Sequence, residues 1–182
     1  MVYILLGTGF EEIEAIAPAD LLRRAGVEVQ FVGVDGPVVA GAHGIEVKAD
    51  ITLSEVSLEE LELLVVPGGS DGVQSISESQ TALTLLQNAY KKGCYISAIC
   101  AGPTVLAQIG ILEHCHATCY PGMEAELGSS VTTVDENVVM DGHIITGRAP
   151  GAAIDFGLTL VRVLCGVEIA KMVQEEIHYE SR

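Results

Sequence analysis

Cys100 sits in the stretch AICAGP, just after an apolar run and among small residues. Alanine or serine would fill the same volume, so the thiol is a nucleophile, a redox centre or a small buried hydrophobe. CYISAIC at 94–100 reads as a strand and the residues from about 102 to 109 as a helix. Cys100 therefore falls on a sharp strand-to-helix turn of the kind that presents a nucleophile at a sheet edge. The N–H groups opening the helix carry partial positive charge, which predicts a thiol pKa below that of free cysteine. Ala98, Ala101 and Gly102 leave room for a substrate to approach.

Three acids follow the first apolar run, in GTGFEEIE. Its Gly-x-Gly is not a dinucleotide fingerprint, because Glu12 stands where that motif needs glycine and the neighbouring carboxylates repel an anion. Glu11, Glu12 and Glu14 have a plain role in complementing a helix dipole. Placed beside Cys100, one of them would have another. Desolvation and the like charge of a thiolate raise a carboxyl's pKa, and a protonated carboxyl can hydrogen-bond sulfur and act as general acid and base. Residue type alone does not rank the three. VPGGSDG at 66–72 offers unobstructed backbone N–H groups, suited to an oxyanion hole completed by the amide after Cys100, or to a plain turn.

EHCHATCYPG at 113–122 holds His114, Cys115, His116 and Cys119. Successive side chains on an extended strand point to opposite faces, so these four do not converge and no metal site is expected. Cys94 and Cys165 fit apolar faces and read as core, whereas His143 and His178 lie in polar surroundings and read as solvent-facing.

The elements that must position these residues alternate along the chain. VYILL at 2–6 is a buried strand. Residues 11–25 space Ile13, Ile16, Ala17, Leu21 and Leu22 as a helix, with acids at its start, arginines at its end and Gly26 as its stop. VEVQFVGV at 27–34 and LELLVVPGG at 61–69 are further strands, and 79–92 is a helix. VVMDGHIITG pairs two strands about Asp141–Gly142, and a helix opens at Pro150 and runs to about Leu164. Segments 38–50 and 116–140 read as strand extensions or hairpins. This alternation predicts an α/β domain spanning 1–182, with a mostly parallel sheet covered on both faces. Ligands in such sheets bind beyond the carboxyl ends of the strands, at loops 7–12, 67–72 and 99–103.

Composition narrows the function classes. A net charge of −16 with nine Lys+Arg argues against nucleic acid and anionic membranes. Mean hydropathy is +0.42, yet no apolar run reaches the ~20 residues of a membrane span. The N-terminus lacks a basic region before its apolar run, and five cysteines at irregular spacing fit reduced thiols, so a cytoplasmic location is expected.

EEIEAIAPADLLRRAG, LLVVPGG, AICAGP and ITGRAPG together resemble the ThiJ/PfpI superfamily, in its DJ-one branch, over almost the whole chain. The resemblance implies a flavodoxin-like, doubly wound fold with a strand–Cys–helix nucleophile elbow, assembled as a homodimer. It assigns Cys100 as the family's reactive cysteine, readily oxidised to sulfinate, and Glu14 as the glutamate that hydrogen-bonds the sulfur. Gly68, Gly69 and Ala101 match the backbone lining of the oxyanion pocket. Asp20 and Arg24 match helix positions linked to the pocket and the dimer interface.

Three positions depart from the family pattern. Tyr120 stands where a histidine is frequent, and its hydroxyl, with a reference pKa of about 10, is a poor base at neutral pH. His43 replaces an arginine near the pocket, which would make anion binding pH-dependent. Ala101 follows the cysteine where protease-like members carry histidine, against a Cys-His protease. The resemblance implies cofactor-free glyoxalase or deglycase chemistry on a small reactive carbonyl. The alternative it carries is an oxidative-stress sensor or redox-regulated chaperone whose Cys100 reacts with peroxide.

Overall fold

The computed structural model describes residues 1–128, 132–133 and 136–180. In chain order the elements are β1 (Val2–Leu6), α1 (Glu12–Arg24), β2 (Val29–Gly33), β3 (Val38–Ala40), β4 (Glu46–Lys48), β5 (Ile51–Thr52) and β6 (Leu63–Val66). There follow α2 (Ser70–Glu78), α3 (Gln80–Lys92), β7 (Tyr95–Ile99), α4 (Pro103–Gln108), β8 (His116–Ala117) and β9 (Thr132–Thr133). Then come β10 (Val138–Asp141), β11 (Ile144–Gly147), α5 (Ala153–Cys165) and α6 (Val167–Glu176).

Seven strands form one sheet in the order β10-β11-β7-β6-β1-β2-β5, parallel throughout except for the β10–β11 hairpin. Counted along the chain, β1, β2, β6, β7 and β11 give the 2-1-3-4-5 order of the flavodoxin-like fold. The central strands β1 and β6 are apolar on both sides because both sides are covered. Along β1, Val2, Ile4 and Leu6 pack with Leu22, Phe156 and Leu160 of α1 and α5, while Tyr3 and Leu5 join Ile76, Leu86 and Leu106 of α2, α3 and α4. The expected hairpin within 38–50 is β3–β4. Of the expected 116–140 segment, β8 and β9 pair in parallel, and residues 129–131 and 134–135 lie outside the described residues.

Three features differ from the sequence expectation. Helix α2 starts inside the loop expected at 67–72 and continues over residues for which the pattern predicts no element; its serines and glycine disfavour helix, and burial of Val73 and Ile76 against the sheet overrides them. Helix α6 was not anticipated, and buries Ala170 and Val173 beneath α5. The third concerns the rotation of α1. Leu21 and Leu22 are buried as expected, but Ile13 and Ile16 are 55% and 40% exposed, and Glu12 and Glu14 turn inward instead. The first turn of α1 extends past the sheet edge, so it faces loops rather than the apolar core.

Candidate active site

Strands β1, β6 and β7 are parallel neighbours, so the loops after them meet at one edge of the sheet. That edge is where the strand order reverses, between β1 and β6.

Cys100 follows β7 directly and adopts φ +64°, the left-handed region that side-chain-bearing residues rarely occupy. The strain is held in place by neighbours. Cys100 N–H donates to Gly147 O at 2.9 Å, Cys100 O accepts from Tyr120 N–H at 2.9 Å, and Gly102 N–H closes the turn onto Ile99 O at 2.9 Å. The thiol is 8% exposed.

Glu14, in the first turn of α1, is fully buried, and its carboxyl hydrogen-bonds the Cys100 side chain. Gly68 N–H donates to Glu14 Oε2 at 2.7 Å, while Oε1 is buried with no partner of ordinary hydrogen-bond geometry. A carboxyl oxygen so placed favours carrying a proton over carrying charge. The close approach depends on the absence of a side chain at residue 68. A Cβ there would lie 2.4 Å from Glu14 Oε2, 2.7 Å from Cys100 Cβ and 3.0 Å from its sulfur. Gly69, at φ +87°, would likewise drive a Cβ to 2.3 Å from Gly9 O.

Burial pushes Glu14 up to about 7, with the charge of Glu11 adding to the effect and hydrogen bonds from Cys100 and Gly68 opposing it. Burial also pushes the Cys100 thiol up, to about 12, and the Glu14 carboxylate and its hydrogen bond push in the same direction. The amides of Ala101 and Gly69 hydrogen-bond the sulfur and work the other way. The depressed thiol pKa expected from the helix dipole is therefore corrected. α4 has only six residues, and its effect is outweighed by desolvation and a carboxylate in contact. Near neutral pH the pair loses one proton and shares the other. Such a carboxyl can accept a thiol proton or, when protonated, hydrogen-bond a thiolate.

Above the sulfur opens a cavity of about 490 Å³ whose lining includes Gly69, Cys100, Ala101, His43, Tyr120 and Glu11. Of the residues expected at the site, the structure thus brings Cys100, Glu14, Gly68, Gly69, Ala101, Tyr120 and His43 together. Asp20 and Arg24 are not among them. They form an exposed ion pair on α1 at 2.7 Å, and Arg24 also reaches Glu176 at 2.7 Å, so within one copy of the chain neither lines the cavity. Asp20 lies four residues past the exposed Ile16 and Arg24 four past Asp20, so both continue that outward face.

Residue type does not rank the buried Glu12 among the three acids, and its place is visible only in the fold: it holds His43 at the cavity rim. No spacing rule could have announced this, because the two residues meet through the β3–β4 hairpin. His114 and His116 are exposed and Cys119 is buried; among the described residues, the one group of three or more His, Cys, Asp or Glu side chains whose ligand atoms all lie within 4.8 Å of one another is Glu11, Glu12 and His43. Among the described residues, no helix is long and apolar enough to cross a membrane.

The profile of the DJ-1/PfpI family matches residues 1–163. The chain belongs to the DJ-1/PfpI family. Within it, the chain is 38% identical to protein dj-1beta of Drosophila melanogaster over 91% of this chain and 89% of that one. The crystal structure of Drosophila DJ-1beta superposes with a TM-score of 0.95 at 35% identity, covering 99% of this chain and 98% of the other. A glutathione-independent glyoxalase of Caenorhabditis elegans is 35% identical over 87% of this chain and 84% of its own. A deglycase of Pyrococcus horikoshii is 32% identical over 82% and 90%. In this DJ-1/PfpI chain the nucleophile elbow, the Gly-Gly loop and the buried glutamate form one site.

Proposed function

We propose that this protein is a cysteine-dependent, cofactor-free enzyme of the glyoxalase or deglycase type, acting on 2-oxoaldehydes such as methylglyoxal or on their adducts. The observation that carries the reading is the buried Glu14 carboxyl against the Cys100 sulfur, at the floor of an open cavity. The names of the nematode and archaeal relatives support the substrate class.

In this reading sulfur adds to the aldehyde carbon C1, and Glu14 takes the thiol proton and passes it to the resulting alkoxide. The amides of Gly69 and Ala101 face the sulfur and steady the developing oxyanion. The product is a hemithioacetal. Removal of the C1 hydrogen, with protonation of the neighbouring carbonyl, gives an enediol. Its return as a thioester oxidises C1 and reduces C2 within one molecule, so no external oxidant is required. Water then releases the 2-hydroxy acid and the thiol. Deglycation applies the same addition to an adduct on an amine or thiol.

We further propose that the chain pairs with a second copy through the outward face of α1. Ile13 and Ile16 lie exposed there, one turn apart. All five cysteines are free, which supports a reducing compartment such as the cytoplasm.

The test is lactate formation from methylglyoxal in thiol-free, amine-free buffer by wild type, Cys100→Ser and Glu14→Gln. The expected outcome is turnover by wild type, none above background for Cys100→Ser, and a loss of about 100-fold or more for Glu14→Gln. Absence of wild-type turnover would overturn the enzyme reading. If Cys100 then gained two oxygen atoms from peroxide before any other thiol reacted, the redox-sensor reading would replace it.

A further inference from the structure

The reaction just described moves protons along two routes, between the carbons C1 and C2 and between the oxygens they carry. Glu14 is buried below the sulfur and serves the first. We propose that Glu12 and His43 form a second acid–base dyad, in which His43 Nε2 exchanges a proton with the second carbonyl oxygen of the 2-oxoaldehyde. The inference rests on the glyoxalase reading and assigns it a further group.

The geometry of the dyad is set by a buried, anchored carboxylate. Glu12 is 6% exposed. Its Oε1 accepts from His43 N–H at 2.7 Å and Ile45 N–H at 3.4 Å, and its Oε2 lies 2.8 Å from His43 Nδ1. Burial alone would raise this carboxyl, but the hydrogen bonds from the His43 ring and the two amides outweigh it and hold Glu12 below the usual carboxylate range. An ionised acceptor at Nδ1 requires Nδ1 to carry hydrogen. In the neutral ring Nε2 then holds the free lone pair, and in the cation it holds the transferable proton. This is the orienting role that a buried carboxylate gives a histidine base.

The hairpin carrying His43 is tied to the site. Gly9 N–H donates to Ala40 O at 2.8 Å, and Ala42 N–H to Phe10 O at 2.9 Å. The chain packs so closely that a Cβ on residue 41 would fall 2.4 Å from Glu12 Oε1. His43 and Cys100 line the same cavity, with His43 at its exposed side. The other titratable groups there are Glu11, whose Oε1 is 3.7 Å from Nδ1, together with Asp71, Tyr120 and the Cys100–Glu14 pair. The Glu12 hydrogen bond and the charges of Glu11 and Glu12 all raise the His43 pKa above its ordinary value, so protonated imidazole is available near neutral pH.

The proton and electron balance closes with these two groups. Glu14 takes the C1 hydrogen as a proton, its electron pair forms the C1–C2 double bond, and Nε2–H protonates the C2 oxygen. Neutral Nε2 then recovers a proton from the C1 hydroxyl as Glu14 returns one to C2. Both residues regain their starting states and the thioester is left on sulfur.

The experiment measures kcat and KM for methylglyoxal against pH in wild type, His43→Ala, His43→Gln and Glu12→Gln. Both His43 variants should lose about 100-fold in kcat with little change in KM, together with the inflection that His43 contributes to the profile. Glu12→Gln should keep that inflection but move it to lower pH, because the charge that raises His43 is gone. His43→Gln can still hydrogen-bond Glu12, which separates loss of the proton carrier from loss of the loop. A wild-type-like kcat profile in both His43 variants, with wild type active, overturns the dyad alone. An inactive wild type overturns the glyoxalase reading and the dyad with it.

Discussion

Replacing Glu14 by glutamine tests the central electrostatic argument without reference to any substrate. The buried carboxyl has its pKa raised from 4.5 to about 7. Between those two values the folded protein keeps a proton that the unfolded chain has released. Stability therefore falls as pH rises through this window and levels off above about 7. The size follows from the shift: 2.5 units at 1.36 kcal/mol each is about 3 kcal/mol. Glutamine keeps the shape and can still accept from Gly68 N–H, but it has no proton to lose. Urea unfolding of both proteins from about pH 4.5 to 8 isolates the residue, since repulsion among the remaining charges and the titration of His43 are common to both. The wild type should lose about 3 kcal/mol more than Glu14→Gln across the range, a difference of about 1.5 M in urea midpoint. Measurements stop near pH 8 because release of the unfolded-chain thiol proton, while folded Cys100 is held up to about 12, adds a further decline above that. Parallel stability curves for the two proteins would refute the claim that burial keeps Glu14 protonated.

Two further outcomes follow from packing. Gly68→Ala forces a methyl group between Glu14 and Cys100, so it should cost about 1–3 kcal/mol in thermal or urea unfolding and reduce turnover sharply; a variant with wild-type activity would show that the two side chains need not touch. Ile13→Glu places a charge on the outward face of α1 without touching the core, so sedimentation should report dissociation to monomer while folding stability stays within about 0.5 kcal/mol; a retained dimer would move the interface elsewhere.

Much of the architecture is legible in local patterns. The runs at 2–6 and 94–100 are apolar on both faces, and only a strand covered from both sides uses such a run economically. The helix at 80–92 is bounded by Ser79, whose hydroxyl accepts from Ala82 N–H at 3.3 Å, and by Gly93 in the left-handed conformation, an ordinary start signal and an ordinary stop signal. Helix α2 was not legible, because its intrinsic propensity is poor and its apolar face is defined only by the sheet beneath it.

The rotation of α1 shows where local reasoning ends. Isoleucines at 13 and 16 suggest a buried stripe, yet that stripe faces outward and the acids face in. A signal was present. Stepping back from the buried Leu21 and Leu22 through Pro18 at helical spacing leads to Glu14, not to either isoleucine. Apolar residues mark the inner face only along the turns that pack on the sheet, and the first turn of α1 is not one of them.

The sequence by itself determined the order of β1, β2, β6, β7 and β11 and of helices α1, α3, α4 and α5, the cysteine at a strand-to-helix turn, the glycines that permit close approach and the family. These depend on residue type and near-neighbour spacing, which a linear chain displays directly. Residue type left Glu11, Glu12 and Glu14 open and the family resemblance named Glu14; only the tertiary structure decided that burial raises the thiol's pKa and that Glu12 holds His43 at the cavity. Those outcomes depend on desolvation and on distances between groups far apart in the chain. Both quantities arise when the sheet brings its loops to one edge.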